Sequence, residues 1–153
     1  MTRRGFLRRL DVPAIEAAVR RAEQRTSGEI RVSIAGVFWG SSRRMAERAF
    51  QRLGMHATRR RNGVLILVAP SRRTLIILGD EGIHTHVGDA FWASVSDAAS
   101  ARLRVGDFTA GLVQAVDAVG DALARHFPPD PGSDVDELPD AVDLGRGRKP
   151  PRP

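Results

Sequence analysis

Hydrophobic and polar positions along this chain follow two periods, and the change from one to the other marks out its elements. Val12, Ile15, Val19 and Ala22 recur at helical spacing behind Asp11, a residue suited to cap a helix, with Pro13 in the opening turn and Ser27-Gly28 ending the segment. Residues 29–35 alternate instead, with Ile30, Val32 and Ile34 on one side and Arg31 and Ser33 on the other, which is the period of a strand. A glycine-containing loop leads to Ser41 or Ser42 and a second helix whose Met45, Ala49, Phe50 and Leu53 share a face, stopped by Gly54. Residues 64–69 and 75–78 are unbroken apolar runs of strand length, and Pro70-Ser71-Arg72-Arg73 between them predicts a hairpin. A third helix is expected over residues 88–104, burying Phe91, Trp92, Val95 and Ala99. Asp107 is placed to cap a fourth, which carries Leu112, Val116, Val119 and Leu123 to Phe127.

This order of elements predicts an α/β fold, with helices against a small mixed sheet that contains the hairpin. A right-handed crossover makes the strand at 29–35 parallel to the one at 64–69. Ser27 and Glu29 then lie at the same end of the sheet as Arg61, Asn62, Asp80 and Glu81, and these six residues on three loops form the candidate binding cleft.

Composition adds the boundaries. A chain of 153 residues suits one domain with a real core, expected over 11–127 behind a basic segment at 1–10. From Pro128 the chain turns proline-rich, acidic and then basic, so 128–153 is expected to be a disordered, solvated tail. Residues 1–127 hold 20 basic and 12 acidic residues, a balance of +8, whereas 128–153 hold 4 and 6, a balance of −2. The absence of cysteine removes disulfides, thiolate metal sites and a cysteine nucleophile. Thr2-Arg3-Arg4-Gly5-Phe6-Leu7 looks like a twin-arginine export motif, but charges at Arg8, Arg9, Asp11 and Glu16 break the apolar stretch such a signal needs. No run approaches the roughly 20 apolar residues of a membrane span, and a cytoplasmic location is expected.

Chemistry is encoded more sparsely. Asp80, Glu81, His84 and His86 form an acceptable ligand mix for zinc or manganese, yet their spacing matches no known metal motif, and a polar loop with both histidines facing water is the stronger reading. Neither metal nor cofactor is therefore expected. Asp134-Val135-Asp136 has the bare pattern of an aspartyl phosphotransferase, but proline and glycine precede it where a rigid strand end is required. Gly79-Asp80-Glu81-Gly82 reads as a strand-to-helix turn needing positive backbone angles, since two carboxylates oppose a bound phosphate. No histidine adjoins an identifiable nucleophile, so no catalytic residue is assigned. Arg44, Arg48 and Arg52 fall four apart on the second helix. With Arg59 and Arg60 they make a basic patch able to attract nucleic acid or an anionic membrane surface, although no stacking aromatics accompany it and a solvated helix face explains it as well.

Six short motifs, TSGEIRV at 26–32, RNGVL at 61–65, ILGDEGI at 77–83, FW at 91–92, GDFTAGL at 106–112 and HFP at 126–128, together resemble the TPM domain family. The family takes its name from a thylakoid-lumen phosphatase, a photosystem II repair protein and a membrane-channel modulator. The end of the chain, with DVDELPD at 134–140, resembles short cytosolic bacterial members. The resemblance implies a three-layer α/β/α sandwich. Longer exported members carry an acid just before Asn-Gly and a glutamate in the following hairpin strand, which are plausible cation ligands and the basis of a phosphatase proposal. Here those positions are Arg61 and Ile77, one a cation and the other without a donor atom. The expectation is a noncatalytic binding or interaction module whose partner is another protein. A metal-dependent phosphatase-like hydrolase is the alternative, and an electrostatic polyanion binder the third reading.

Overall fold

The computed structural model describes residues 1–129 and 140–145. In chain order they form α1 (Arg3–Arg8), α2 (Val12–Glu23), β1 (Glu29–Ile34), α3 (Ser42–Arg52), β2 (Gly63–Ala69), β3 (Thr74–Gly79), α4 (Glu81–Arg104) and α5 (Phe108–His126), with short 3-10 turns at Met55–Ala57 and Pro70–Arg72. The sheet order is β1-β2-β3. β1 runs parallel to β2, with Glu29 opposite Gly63 and Ile34 opposite Val68, and β3 returns antiparallel, with Val64 opposite Gly79.

Strand alternation sorts the side chains into two cores, because successive residues point to opposite faces. Ile30, Val32, Val64, Ile66 and Ile77 join the larger core with Ile15 and Val19 of α2 and Leu112, Val116 and Leu123 of α5. Leu65, Leu67 and Leu78 face the other way, onto Ala46, Ala49 and Phe50 of α3 and onto Met55. Every residue of β2 is buried, as expected for a central strand covered on both faces. The sandwich is thus α/β/α, as the sequence and the resemblance both imply.

Three segments depart from the sequence expectation. The basic start of the chain is a helix packed on the domain: Phe6 is buried, with its ring centroid 4.7 Å from that of Phe108, and Leu10 is buried nearby. Six residues are too few to display a period, and the arginines around Phe6 mask it. α4 begins at Glu81 rather than near residue 88; it is interrupted at Gly88, whose φ of 75° and ψ of 172° break the helix. The third departure is at the far end of the chain. Residues 140–145, expected to be solvated, lie along the outer edge of β1, where the Asp143 amide donates to the Val32 carbonyl at 2.8 Å and the Ile34 amide donates to the Asp143 carbonyl at 2.8 Å. Asp134 and Asp136 fall outside the described residues.

The same edge carries a carboxyl that keeps its proton. Glu23 Oε1 accepts from the Ile30 amide at 3.0 Å. Burial and the neighbouring carboxyl groups of Asp140 and Glu29 push Glu23 up to about 11, against the lowering effect of the Ile30 amide. A group whose pKa is raised by folding stabilises the fold fully below its unfolded value and loses that contribution as pH rises toward its folded value. Melting temperature should therefore fall as pH is raised from 5 to 10, and the fall should be shallower in Glu23→Gln, which cannot ionise. Parallel pH profiles for the two proteins would count against this account.

Candidate functional site: a closed three-loop end

The sheet brings the six cleft residues to one end. The Glu29 amide donates to the Asn62 carbonyl at 3.3 Å, the Asp80 amide donates to the Gly63 carbonyl at 2.9 Å, and Asn62 Nδ2 lies 3.5 Å from Ser27 Oγ. Glu29, Asn62 and Asp80 are buried, whereas Glu81 is exposed. Thr58, also buried, supports the middle loop by accepting the Asn62 amide at its Oγ1 at 3.1 Å.

Asp80 is the centre of this end. It stands at the N-cap of α4, where its Oδ1 accepts from the Glu81 amide at 2.8 Å. Arg61 grips the carboxylate with both arms of its guanidinium, Nε to Oδ2 at 2.6 Å and Nη2 to Oδ1 at 3.0 Å, the two-pronged geometry suited to a planar carboxylate. His56 Nδ1 lies 3.1 Å from Oδ1, and its ring packs edge-on against Phe50. Burial alone would raise the Asp80 carboxyl. The Arg61 and Glu81 hydrogen bonds and the charges of His56 and Arg61 outweigh it and hold Asp80 below the usual carboxylate range. Arg61 reaches Asp80 from a left-handed backbone, φ 53°, which is uncommon for a non-glycine residue.

His56 is the member of this end that the sequence does not reveal. It lies in a 3-10 turn, apart from every motif, and its position follows only once α3 has been docked on the sheet. Gly79 and Gly82 are needed for a different reason from the one expected. Neither has a positive φ; a Cβ on Gly79 would lie 2.3 Å from the Trp92 ring, and one on Gly82 would lie 2.1 Å from the Arg60 carbonyl oxygen. The turn is tight because a helix and a loop press against it.

The four residues considered as metal ligands do not converge. Asp80 is taken up by Arg61. His84 Nδ1 accepts from Trp92 Nε1 at 3.0 Å, and His86 stacks on His126 with ring centroids 4.6 Å apart. Among the described residues, no three His, Asp or Glu side chains are grouped to hold a metal ion. Ile77 is buried in the larger core.

The basic patch also divides. Arg44 and Arg48 are exposed, but Arg52 pairs with Asp143 at 2.7 Å, and neighbouring Arg43 pairs with Glu47 at 3.3 Å. Arg59 and Arg60 are exposed on the loop before Asn62. Among the described residues no helix is long and apolar enough to cross a membrane.

Comparison with known proteins places the chain. The family model described as the TPM domain matches residues 2–122. No curated protein matches. The NMR structure of the BA42 protein from the psychrophilic bacterium Bizionia argentinensis is similar at 40% identity and a TM-score of 0.79, covering 88% of this chain and 92% of that one. The N-terminal domain of the cg2496 protein from Corynebacterium glutamicum, 21% identical with a TM-score of 0.57 over 72% of this chain and 70% of that one, shares the fold. On the family match and the BA42 likeness together, this chain belongs to the TPM domain family.

Proposed function

We propose that this TPM domain is a noncatalytic binding module, with the three-loop end as a surface for another protein. The observation that carries the reading is the occupation of Asp80. Its two oxygens are engaged by Arg61, His56 and the Glu81 amide, so this buried carboxylate of the cleft is committed to neutralising the chain's own guanidinium. A carboxylate in that state is a poor metal ligand and a poor proton acceptor, because either role requires the Arg61 pair to break first. Arg61, Glu81 and His56 stay partly or largely exposed around it, with side chains 42%, 79% and 50% accessible. They give the end a polar, mixed-charge face suited to a protein partner.

The purified protein should not hydrolyse a generic phosphomonoester with magnesium, calcium, manganese or zinc present, and millimolar calcium should leave its melting temperature unchanged within error. A ligand that binds only the native state must raise that temperature, so calcium is a direct probe. Arg61→Asp removes the plug and adds a carboxylate, and should acquire a saturable calcium-dependent rise. Metal-dependent turnover abolished by Asp80→Ala would overturn the noncatalytic reading and favour the hydrolase.

A further inference from the structure

Residues 140–145 do more than end the chain. They meet the outer edge of β1 in a single parallel bridge, with Asp143 opposite Ser33 and one backbone bond to each of Val32 and Ile34. The Asp143 carboxylate is received by a prepared set of donors: Ser33 Oγ at 2.8 Å, Arg52 Nη2 and Nη1 at 2.7 and 3.3 Å, and the Gly145 amide at 3.2 Å. The Val142 amide donates to Glu16 Oε1 at 3.2 Å, and Arg3 donates to the Leu144 carbonyl. Backbone pairing along an edge combined with a pocket for one side chain is how domains that bind peptides by strand addition recognise their ligands.

Gly145 lines a cavity of about 620 Å³ together with Arg3, Arg48, Arg52 and Val37. Of these arginines, Arg52 pairs with Asp143, Arg3 donates to the Leu144 carbonyl, and Arg48 is exposed. The loop beside it exposes Val37 and Trp39, at 78% and 91% accessibility. Edge, aspartate pocket and arginine-lined cavity together fit an extended segment in which an aspartate is followed by further acidic residues.

We propose that the outer edge of β1 is a binding site for an extended acidic segment of a partner protein, with residues 140–145 as its tethered competitor. The partner segment carries an aspartate for Ser33 and Arg52, followed within two or three residues by carboxylates for Arg3 and Arg48. The site is separate from the Asp80 end, so its test succeeds or fails independently of the reading given there.

The probe is a fluorescent peptide, Ala-Val-Asp-Leu-Gly-Glu-Glu-Glu, titrated into the full chain. A tethered segment competes at an effective concentration of about a millimolar. Full-length Asp143→Ala, in which the competitor has lost its anchor, should therefore bind the peptide at least about tenfold more tightly than the unmodified protein. Adding Arg52→Gln to that variant, or replacing the peptide's aspartate by asparagine, should weaken binding about tenfold, the usual scale for losing a charge-assisted pair. Amide NMR of the unmodified protein gives a readout that does not depend on a variant folding: the outward-facing Ile34 amide should shift saturably while the Ala35 amide, bonded inward to Val68, moves less. Equal affinity for unmodified and Asp143→Ala protein, indifference to Arg52→Gln, or equal binding of a scrambled peptide would overturn the proposal. So would a concentration-dependent dimer formed by exchange of residues 140–145, which would make a second copy the occupant.

Discussion

Gly82→Ala should lower the melting temperature by about 10 °C, although it adds only one methyl group. The new Cβ would sit 2.1 Å from the Arg60 carbonyl oxygen and 2.5 Å from that of Arg61. Both are backbone atoms, so no side chain can turn aside to make room. The start of α4 must move off the loop before β2, which stretches the Gly82 amide to Arg61 carbonyl bond of 2.8 Å and the Arg61–Asp80 pair beside it. Overpacking of this kind costs about 3 kcal/mol, and in a domain of this size that corresponds to the stated shift. Gly54→Ala is the control. Its φ of 67° and ψ of 32° are left-handed, which makes alanine unfavourable, but nothing lies within 4 Å of the added carbon, so the loss should be about 1 kcal/mol. Thermal melts of the two variants that coincide would refute the account of the Gly82 contact.

Phe6→Ala should destabilise the protein by about 3–4 kcal/mol, the usual cost of emptying a buried aromatic site. Phe6 is 2% exposed and lies against Phe108 at the start of α5, whose Thr109 hydroxyl in turn accepts the Asp11 amide at 3.0 Å. Removing the ring opens a hole where α1, α2 and α5 meet. A urea melt with an unchanged midpoint would show that the first helix adds nothing to the core.

The sequence discloses the sheet more completely than the helical ends. β2 and β3 are apolar runs bounded by turn residues, and the parallel run of β1 beside β2 and the antiparallel return of β3 are those expected from a right-handed crossover and a hairpin. That pairing alone brings Ser27, Asn62 and Asp80 to one end. The bond between Arg61 and Asp80 was not legible, because it depends on a left-handed residue and on the angle at which α4 leaves the sheet. His56 was hidden because its place follows only from the docking of α3 on the sheet. α1 escaped because Phe6 and Leu7 are adjacent in a short run of arginines and show no period, and the seat of Asp143 on β1 because its partners, Ser33 and Arg52, lie 110 and 91 residues away.

Position 61 also says how such a domain can change its chemistry over evolutionary time. Left-handed backbone is adopted more readily by aspartate and asparagine than by arginine, so Arg61 is held where its main chain is least at ease, in exchange for the bond to Asp80. An acid at this position relaxes the main chain and frees the carboxylate behind it. A self-neutralised end and one whose carboxylates are free of arginine are therefore neighbours in sequence space, one replacement apart, and a lineage can cross between them without rebuilding the loop.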